Sequence, residues 1–193
     1  GYIVTNWLLL PKAYHLAAVW HAEQKRNGEA AEPYINHLVE VAVLVSDATA
    51  GQDQNLIAAA VLHDTIEDAG VAYETLVHEF NEDVANLVQE VTDDKSLDKD
   101  LRKHIQVVST PTKSERAKII KLADKVSNLR SILNSPPPWT LERKSEYLAW
   151  ARLVVAGAKG VSSLLDGIFE TVAAELERAL ENERQTQRSE PVI

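Results

Sequence analysis

Apolar residues recur at helical spacing through almost the whole chain, and no segment of useful length alternates apolar and polar positions as a strand would. For example, Leu38, Val41 and Val45 form one stripe of a helix. Pro33 suits the first turn of that helix, and Gly51 suits the position just past its end. The same reading predicts helices at about residues 12–26, 33–50, 58–69, 74–80, 83–92, 115–130 and 161–181, and another that begins near residue 140. The pattern therefore predicts an all-α fold.

A chain of 193 residues is long enough for one domain with its own core, because folding at this length buries about 70% of the unfolded surface. The sequence has no internal repeat and no low-complexity linker at which a second domain would begin. We therefore expect one helical domain over residues 1–180. Residues 181–193 are polar and are expected to form a frayed C-terminal tail. The densely charged segment 92–103 is expected to be exposed.

The composition excludes several classes of function. The absence of cysteine removes disulfides, thiolate nucleophiles and cysteine-ligated zinc, and it suits a cytoplasmic protein. A net charge of −9 argues against nucleic acid as the main partner, although a few local Lys and Arg residues suffice for a small anionic ligand. No segment reaches the roughly 18 apolar residues of a membrane span, so no membrane partner is expected. The acidic, amphipathic last helix suits a homo-oligomer and an ordinary packed helix equally well.

One apolar stretch carries an unusual concentration of polar side chains. Residues 58–62 are wholly apolar, and the next six residues contain one imidazole and three carboxylates. At about 100° per residue, these side chains would fall on one stripe of a continuous helix; they are His63, Asp64, Glu67 and Asp68. Carboxylates on a buried helix cost several kcal/mol each unless something compensates them. A bound divalent cation is the simplest compensation, so the stretch predicts a metal site.

Two further polar residues interrupt apolar segments and are candidates for the missing ligands. His37 lies beside Leu38 in a segment that otherwise reads as core, and Asp124 follows the apolar run around residue 120. Each has a structural alternative. A lone core histidine is often only a hydrogen-bond partner, and Asp124 could be the ion-pair partner of Lys121 or Lys125.

These residues and their surroundings resemble the HD metal-dependent phosphohydrolases, and in particular the (p)ppGpp hydrolases of the Rel/SpoT type. The family's segments QxR…PYINHP, HDxxED, EVTDDK and KLADKxxNLR are matched in order at residues 24–37, 63–68, 90–95 and 121–130, with Leu38 in place of the family's last proline in the first segment. With a further similarity at residues 146–150, the resemblance covers roughly residues 10–180. It implies a single HD-domain helical bundle, like that of the small stand-alone alarmone hydrolases.

The resemblance also implies a reaction, the Mn²⁺-dependent hydrolysis of the 3′-pyrophosphate of (p)ppGpp to GDP or GTP and pyrophosphate. The residues that would hold the ion are His37, His63, Asp64 and Asp124. Glu67 and Asp68 would position and activate a water molecule. The alternative is that this pair only hydrogen-bonds the ligand imidazoles. Iron, zinc and magnesium are also compatible with mixed nitrogen and oxygen ligands.

The same resemblance implies the residues that bind the substrate, a small-molecule nucleotide. Arg26 is similar to an arginine that stacks on the purine base, and Asn128 to an asparagine near the sugar and 5′-phosphates. The other residues that would contact sugar or phosphates are Lys99, Arg143 and Tyr147. Where the family has a basic residue after the arginine, this chain has Asn27, and Lys25 is the candidate to replace that charge.

Two rival hypotheses stay open. Because Asn27 removes a basic group near the nucleotide, the substrate could be an adenine alarmone such as ppApp, or the 2′-phosphate of NADPH. In a different class, the chain could be a non-catalytic nucleotide or metal sensor. Such a sensor is expected to have lost a metal ligand or the Glu67–Asp68 pair, and this chain has lost neither.

Overall fold

A computed structural model describes residues 7–190, and within this range the chain forms helices and no strand. The all-α prediction is confirmed. The first and last few residues of the predicted domain and tail, 1–6 and 191–193, lie outside the described residues. The helices are α1 (Leu9–Trp20), α2 (Ile35–Thr49), α3 (Gln54–Val61), α4 (Thr65–Ala69), α5 (Tyr73–Glu79), α6 (Glu82–Val91), α7 (Lys99–Ser109), α8 (Glu115–Asn134), α9 (Leu141–Ala156) and α10 (Ser163–Ser189), with a 3₁₀ turn at Thr110–Thr112.

Helix α8 lies at the centre of the bundle and packs against α2, α3, α6, α9 and α10. Its apolar face, which includes Ile120, Val126 and Leu129, is buried almost completely. Burying each such side chain stabilises the fold by roughly 1.5–3 kcal/mol. Ser114 begins α8, and its hydroxyl accepts a hydrogen bond from the Ala117 amide. The core therefore holds α8 firmly, and any polar side chain that α8 presents between its apolar residues is fixed in place.

The first helix is shorter than the sequence pattern predicts. It ends at Trp20 rather than near residue 26, and a loop follows. In this loop the Arg26 amide donates to the Glu32 carbonyl (2.8 Å) and the Tyr34 amide donates to the Gln24 carbonyl (2.9 Å). These cross-loop hydrogen bonds replace those of a continued helix, which is why the prediction was wrong here.

The predicted helix over residues 58–69 is interrupted. Helix α3 ends at Val61 and α4 begins at Thr65, so Leu62, His63 and Asp64 lie in a tight turn between them. Gly70, at φ 67°, ends α4 in the left-handed conformation that glycine adopts without strain. The prediction of one continuous helical stripe was therefore wrong, although the turn still directs the polar side chains toward one site.

The charged segment 92–103 was also expected to be partly helical at its end, and α7 begins there at Lys99; its residues are exposed or half-buried. Helix α10 continues to Ser189, past the predicted helix end at residue 181. The division into a domain and a frayed tail stays a prediction. None of the helices in residues 7–190 is long and apolar enough to cross a membrane.

A partly buried ion pair links the last part of α10 to α9. Lys144 of α9 is buried, and its Nζ lies 2.8 Å from Glu183 Oε2 in the last part of α10. Leu180, one turn earlier, is also buried. Both contacts hold the end of α10 against the bundle.

Replacing Glu183 with alanine is expected to lower the free energy of unfolding by about 1–3 kcal/mol, because it leaves the Lys144 ammonium buried without its partner. Glu181→Ala is the matched control, since Glu181 is exposed and its partners Arg184 and Gln185 lie in the same helix. That variant is expected to change stability by less than about 0.5 kcal/mol. Urea denaturation of both variants measures the difference, and equal losses would contradict the role of this ion pair.

Candidate active site

Four side chains from three parts of the bundle meet beneath the α3–α4 turn. His37 comes from α2, His63 and Asp64 from the turn, and Asp124 from α8. The Nε2 atoms of His37 and His63 lie 3.1 Å and 3.3 Å from Asp124 Oδ1. Asp64 Oδ2 lies 3.2 Å from His63 Nε2 and 3.9 Å from His37 Nε2. Two imidazole nitrogens and two carboxylates therefore face one another across a space of a few ångströms.

The Nδ1 atom of each imidazole, on the side away from the two aspartates, is held by a hydrogen bond. His63 Nδ1 lies 2.6 Å from the Ala60 carbonyl oxygen, which can only accept, so Nδ1 carries the proton. His37 Nδ1 lies 2.8 Å from Ser127 Oγ. Both Nε2 atoms are thereby turned toward the carboxylates, as in metal sites whose histidines are oriented from behind. His37 is thus both a hydrogen-bonded core histidine and a member of the cluster.

Electrostatics keep the two aspartates ionised. Burial opposes ionisation of Asp124, but Lys125 and the two imidazoles hold the pKa of this carboxyl well below its ordinary value. Lys125 Nζ lies 3.1 Å from Asp124 Oδ2, and this ion pair confirms one of the two pairings considered for Asp124. Burial lowers the pKa of His37, which favours the neutral imidazole that binds metals. The donor set of imidazole nitrogens and carboxylate oxygens fits a divalent transition metal such as Mn²⁺.

The Glu67 and Asp68 carboxylates lie beside Asp64. One oxygen from each of these three residues lies within 4.8 Å of the others. Glu67 Oε1 accepts a hydrogen bond from the Asp93 amide (2.8 Å), and Asp68 Oδ1 accepts one from Lys95 Nζ (2.7 Å). Burial raises the pKa of Glu67 to about 7, and the neighbouring carboxylates act in the same direction. A group with this pKa can hold or release a proton near neutral pH.

A cavity of about 320 Å³ opens next to this cluster, and it brings together most of the residues expected to bind substrate. Arg26, Asn128, Tyr147 and the exposed Lys25 line it, and Asp68 lies at the end nearest the cluster. Arg26 Nη2 donates to Asn128 Oδ1 (3.3 Å). Asn128 Nδ2 in turn donates to Asp124 Oδ1 (3.4 Å), so a chain of hydrogen bonds leads from the cavity to the cluster.

Lys99 and Arg143 lie in a neighbouring cleft of about 470 Å³ between α7 and α9. Tyr147 lines both spaces and separates them. The Arg143 guanidinium lies over the Trp139 ring, 4.2 Å from its centroid. These two basic residues are therefore placed at one side of the Arg26 cavity and not beside the metal cluster.

The outer wall of the 320 Å³ cavity is made of two loops. Asn27 and Gly28 follow α1, and Pro137 follows α8. A Cβ at Gly28 would lie 2.4 Å from the Ser135 carbonyl oxygen, so only glycine allows the two loops to approach this closely.

Several residues of this site were not singled out from the sequence. Tyr34 donates from its hydroxyl to Asp64 Oδ2 (2.5 Å), and Ser127 holds His37. Lys95 pairs with Asp68 and was not considered, whereas Lys125 was considered only as a partner of Asp124. Buried lysines are rare unless paired, but sequence alone does not show that Lys125 is buried. Its position directly after Asp124 was the available signal.

Comparisons with known proteins agree with this arrangement. A family model described as HD domain matches residues 13–162. The chain is 42% identical over 151 residues to the guanosine-3′,5′-bis(diphosphate) 3′-pyrophosphohydrolase of Drosophila melanogaster, covering 78% of this chain and 84% of that protein. Identity to the human protein of the same name is 40% over 158 residues, covering 81% and 88%.

A solved structure also resembles the fold. It is described as a metazoan ortholog of SpoT that hydrolyzes ppGpp and plays a role in starvation responses. The TM-score is 0.84 at 35% identity, over 93% of this chain and 99% of that one.

Proposed function

The chain belongs to the HD domain family, and from this premise we propose that it hydrolyses the 3′-pyrophosphate of (p)ppGpp in an Mn²⁺-dependent reaction that yields GDP or GTP and pyrophosphate. The observation that carries the proposal is the meeting of two histidines and two aspartates next to a cavity of about 320 Å³. The Drosophila and human proteins that this chain resembles are named for this activity.

The ligands in this proposal are His37, His63, Asp64 and Asp124. Their oxygen and nitrogen donors suit Mn²⁺, and the absence of sulfur argues against a structural zinc site. When bound, a divalent cation supplies Lewis acidity, which activates water at neutral pH and stabilises charge on phosphoryl oxygens. The preference for Mn²⁺ over iron, zinc or magnesium rests on the family resemblance.

Glu67 and Asp68 orient the attacking water and hold its proton in this proposal. Glu67 is fixed through the Asp93 amide, and its raised pKa suits it to accept a proton near neutral pH. Asp68 is held by Lys95 where the cluster meets the cavity. Because both carboxylates are anchored from outside the site, they keep their positions relative to the substrate.

In this proposal, one part of the substrate binds in the 320 Å³ cavity and another part binds in the neighbouring 470 Å³ cleft. Arg26 stacks on the purine base, and Asn128 and Tyr147 contact the sugar between base and metal. Lys99 and Arg143 neutralise phosphates, and Lys25 contributes charge at the cavity rim. This local group of cations gives a chain with a net charge of −9 a place for an anionic nucleotide.

A substrate panel tests the proposal. The chain with Mn²⁺ is expected to convert ppGpp and pppGpp to GDP and GTP with release of pyrophosphate, as measured by ion-exchange chromatography. A chelator should stop turnover, and added Mn²⁺ should restore it. Turnover that persists in chelator, or none of any panel member with metal present, would overturn the proposal.

A second substrate class belongs in the panel because of one residue. Asn27 lines the cavity where the family has a basic side chain. Loss of that charge leaves ppApp or the 2′-phosphate of NADPH open as an alternative substrate for the same chemistry. Faster turnover of either than of ppGpp would assign the site to that substrate.

A cytoplasmic location and a homo-oligomer stay predictions.

A further inference from the structure

Tyr34 lies where the metal cluster and the nucleotide cavity meet. Its side chain lines both spaces. The hydroxyl donates to Asp64 Oδ2, and the ring contacts the Arg26 guanidinium, 5.8 Å from the ring centroid. The same ring lies 5.4 Å from the His37 imidazole, centroid to centroid. One side chain thus contacts a base-binding residue and two of the proposed ligands.

We propose that Tyr34 is a positioning residue with two separable roles, in which its hydroxyl fixes Asp64 for metal binding and its ring supports Arg26 for binding of the base. This inference rests on the proposed function. It assigns a role to a residue that is neither a proposed metal ligand nor a proposed substrate contact.

The hydroxyl role follows from the surroundings of Asp64. Asp64 lies at the N-cap of α4, where its carbonyl accepts a hydrogen bond from the Asp68 amide (2.8 Å), whereas Asp124 lies inside the long helix α8. Asp124 has Lys125 and Asn128 as further partners. For Asp64 the hydroxyl of Tyr34 is the neutral donor that sets the carboxylate's orientation. Removing such an outer partner of a metal ligand usually weakens metal binding about 10–100-fold.

The ring role follows from the loop that carries Arg26. The Tyr34 amide donates to the Gln24 carbonyl, and the Arg26 amide donates to the Glu32 carbonyl, so the two ends of the loop are joined at Tyr34. The aromatic face then supports the guanidinium by a cation–π contact. A phenylalanine at this position would keep the ring and the loop, and would remove only the hydroxyl.

Tyr34→Phe separates the two roles. We expect the Kd for Mn²⁺, measured by electron paramagnetic resonance of the free ion, to rise at least about tenfold. The KM for ppGpp at saturating Mn²⁺ is expected to stay near the wild-type value. Tyr34→Leu should weaken Mn²⁺ binding equally and also raise the KM, because the ring is lost. Tyr73→Phe is the matched control, since Tyr73 donates to Asn86.

The outcomes distinguish this inference from the proposed function. If wild type and Tyr34→Phe bind Mn²⁺ equally well, the inference is wrong and the hydrolase proposal stands. If the wild-type chain binds no Mn²⁺, the proposed function itself fails. The Mn²⁺-induced rise in the unfolding midpoint gives a second measure of binding that is independent of turnover. A smaller rise in Tyr34→Phe than in Tyr73→Phe supports the inference, and equal rises overturn it.

Discussion

Asp124→Asn is expected to reduce turnover of ppGpp by at least about three orders of magnitude, because a metal ion contributes several kcal/mol to such reactions and each 1.36 kcal/mol is worth a factor of ten. Asp124 Oδ1 faces both histidines, so its negative charge acts on both imidazoles and on any cation bound between them. Asparagine keeps the volume and removes that charge. Steady-state kinetics and Mn²⁺ titration of the same preparation measure both losses.

The variant also leaves Lys125 buried without its carboxylate, which lowers stability, and a control must separate this effect from the loss of metal. Asp83→Asn provides it, since Asp83 pairs with Arg116 outside the cluster. We expect that control to lose stability while it keeps Mn²⁺ affinity. Unchanged turnover in a folded Asp124→Asn protein would remove Asp124 from the ligand set.

Glu67→Gln is expected to keep Mn²⁺ affinity and to lose about 10²–10⁴-fold in kcat, the usual range for a positioned acid or base. The glutamine retains an oxygen that can accept the Asp93 amide, so the local structure should survive. Asp68→Asn should behave in the same direction. Measuring kcat at saturating Mn²⁺, together with the Kd for the ion, separates catalysis from metal binding.

Glu90→Gln is a matched control for Glu67→Gln, because Glu90 also accepts a backbone amide at 2.8 Å, from Ser114. It should leave kcat close to wild type. If Glu67→Gln instead lost Mn²⁺ and kept its turnover per bound ion, Glu67 would serve only to orient the ligands. That result would favour the alternative considered from the sequence.

The structure brings together the four side chains that the sequence proposed as ligands, but the helix predicted to carry His63 and Asp64 is interrupted. His37 and Asp124 could be found because each interrupts an apolar segment, and a polar group in a core needs a partner. The α3–α4 turn could not be found, because Leu62 and Ile66 continue the apolar pattern across it. Periodicity reports which residues are buried, and it does not report whether every backbone hydrogen bond is helical.

Contacts between distant parts of the chain were beyond prediction for a different reason. The end of α10 reads as a polar tail, and the pattern does not show its contact with Lys144 of α9. Likewise, the role of Tyr34 depends on its hydrogen bond to Asp64, which lies thirty positions further along the chain. A single sequence does not state these pairings, since many combinations of charged or polar residues fit the same pattern.

The close approach of the loops at Gly28 and Ser135 has a consequence for how such a protein can evolve. The metal cluster is carried by helices and a turn packed into the core, so substitution there disturbs folding and chemistry together. Gly28 cannot change without moving the two loops apart, but the other surface-loop residues of the cavity wall tolerate change. Selection can therefore retune which purine or which phosphate position is accepted by altering the loop around Asn27, while the hydrolytic machinery is inherited intact.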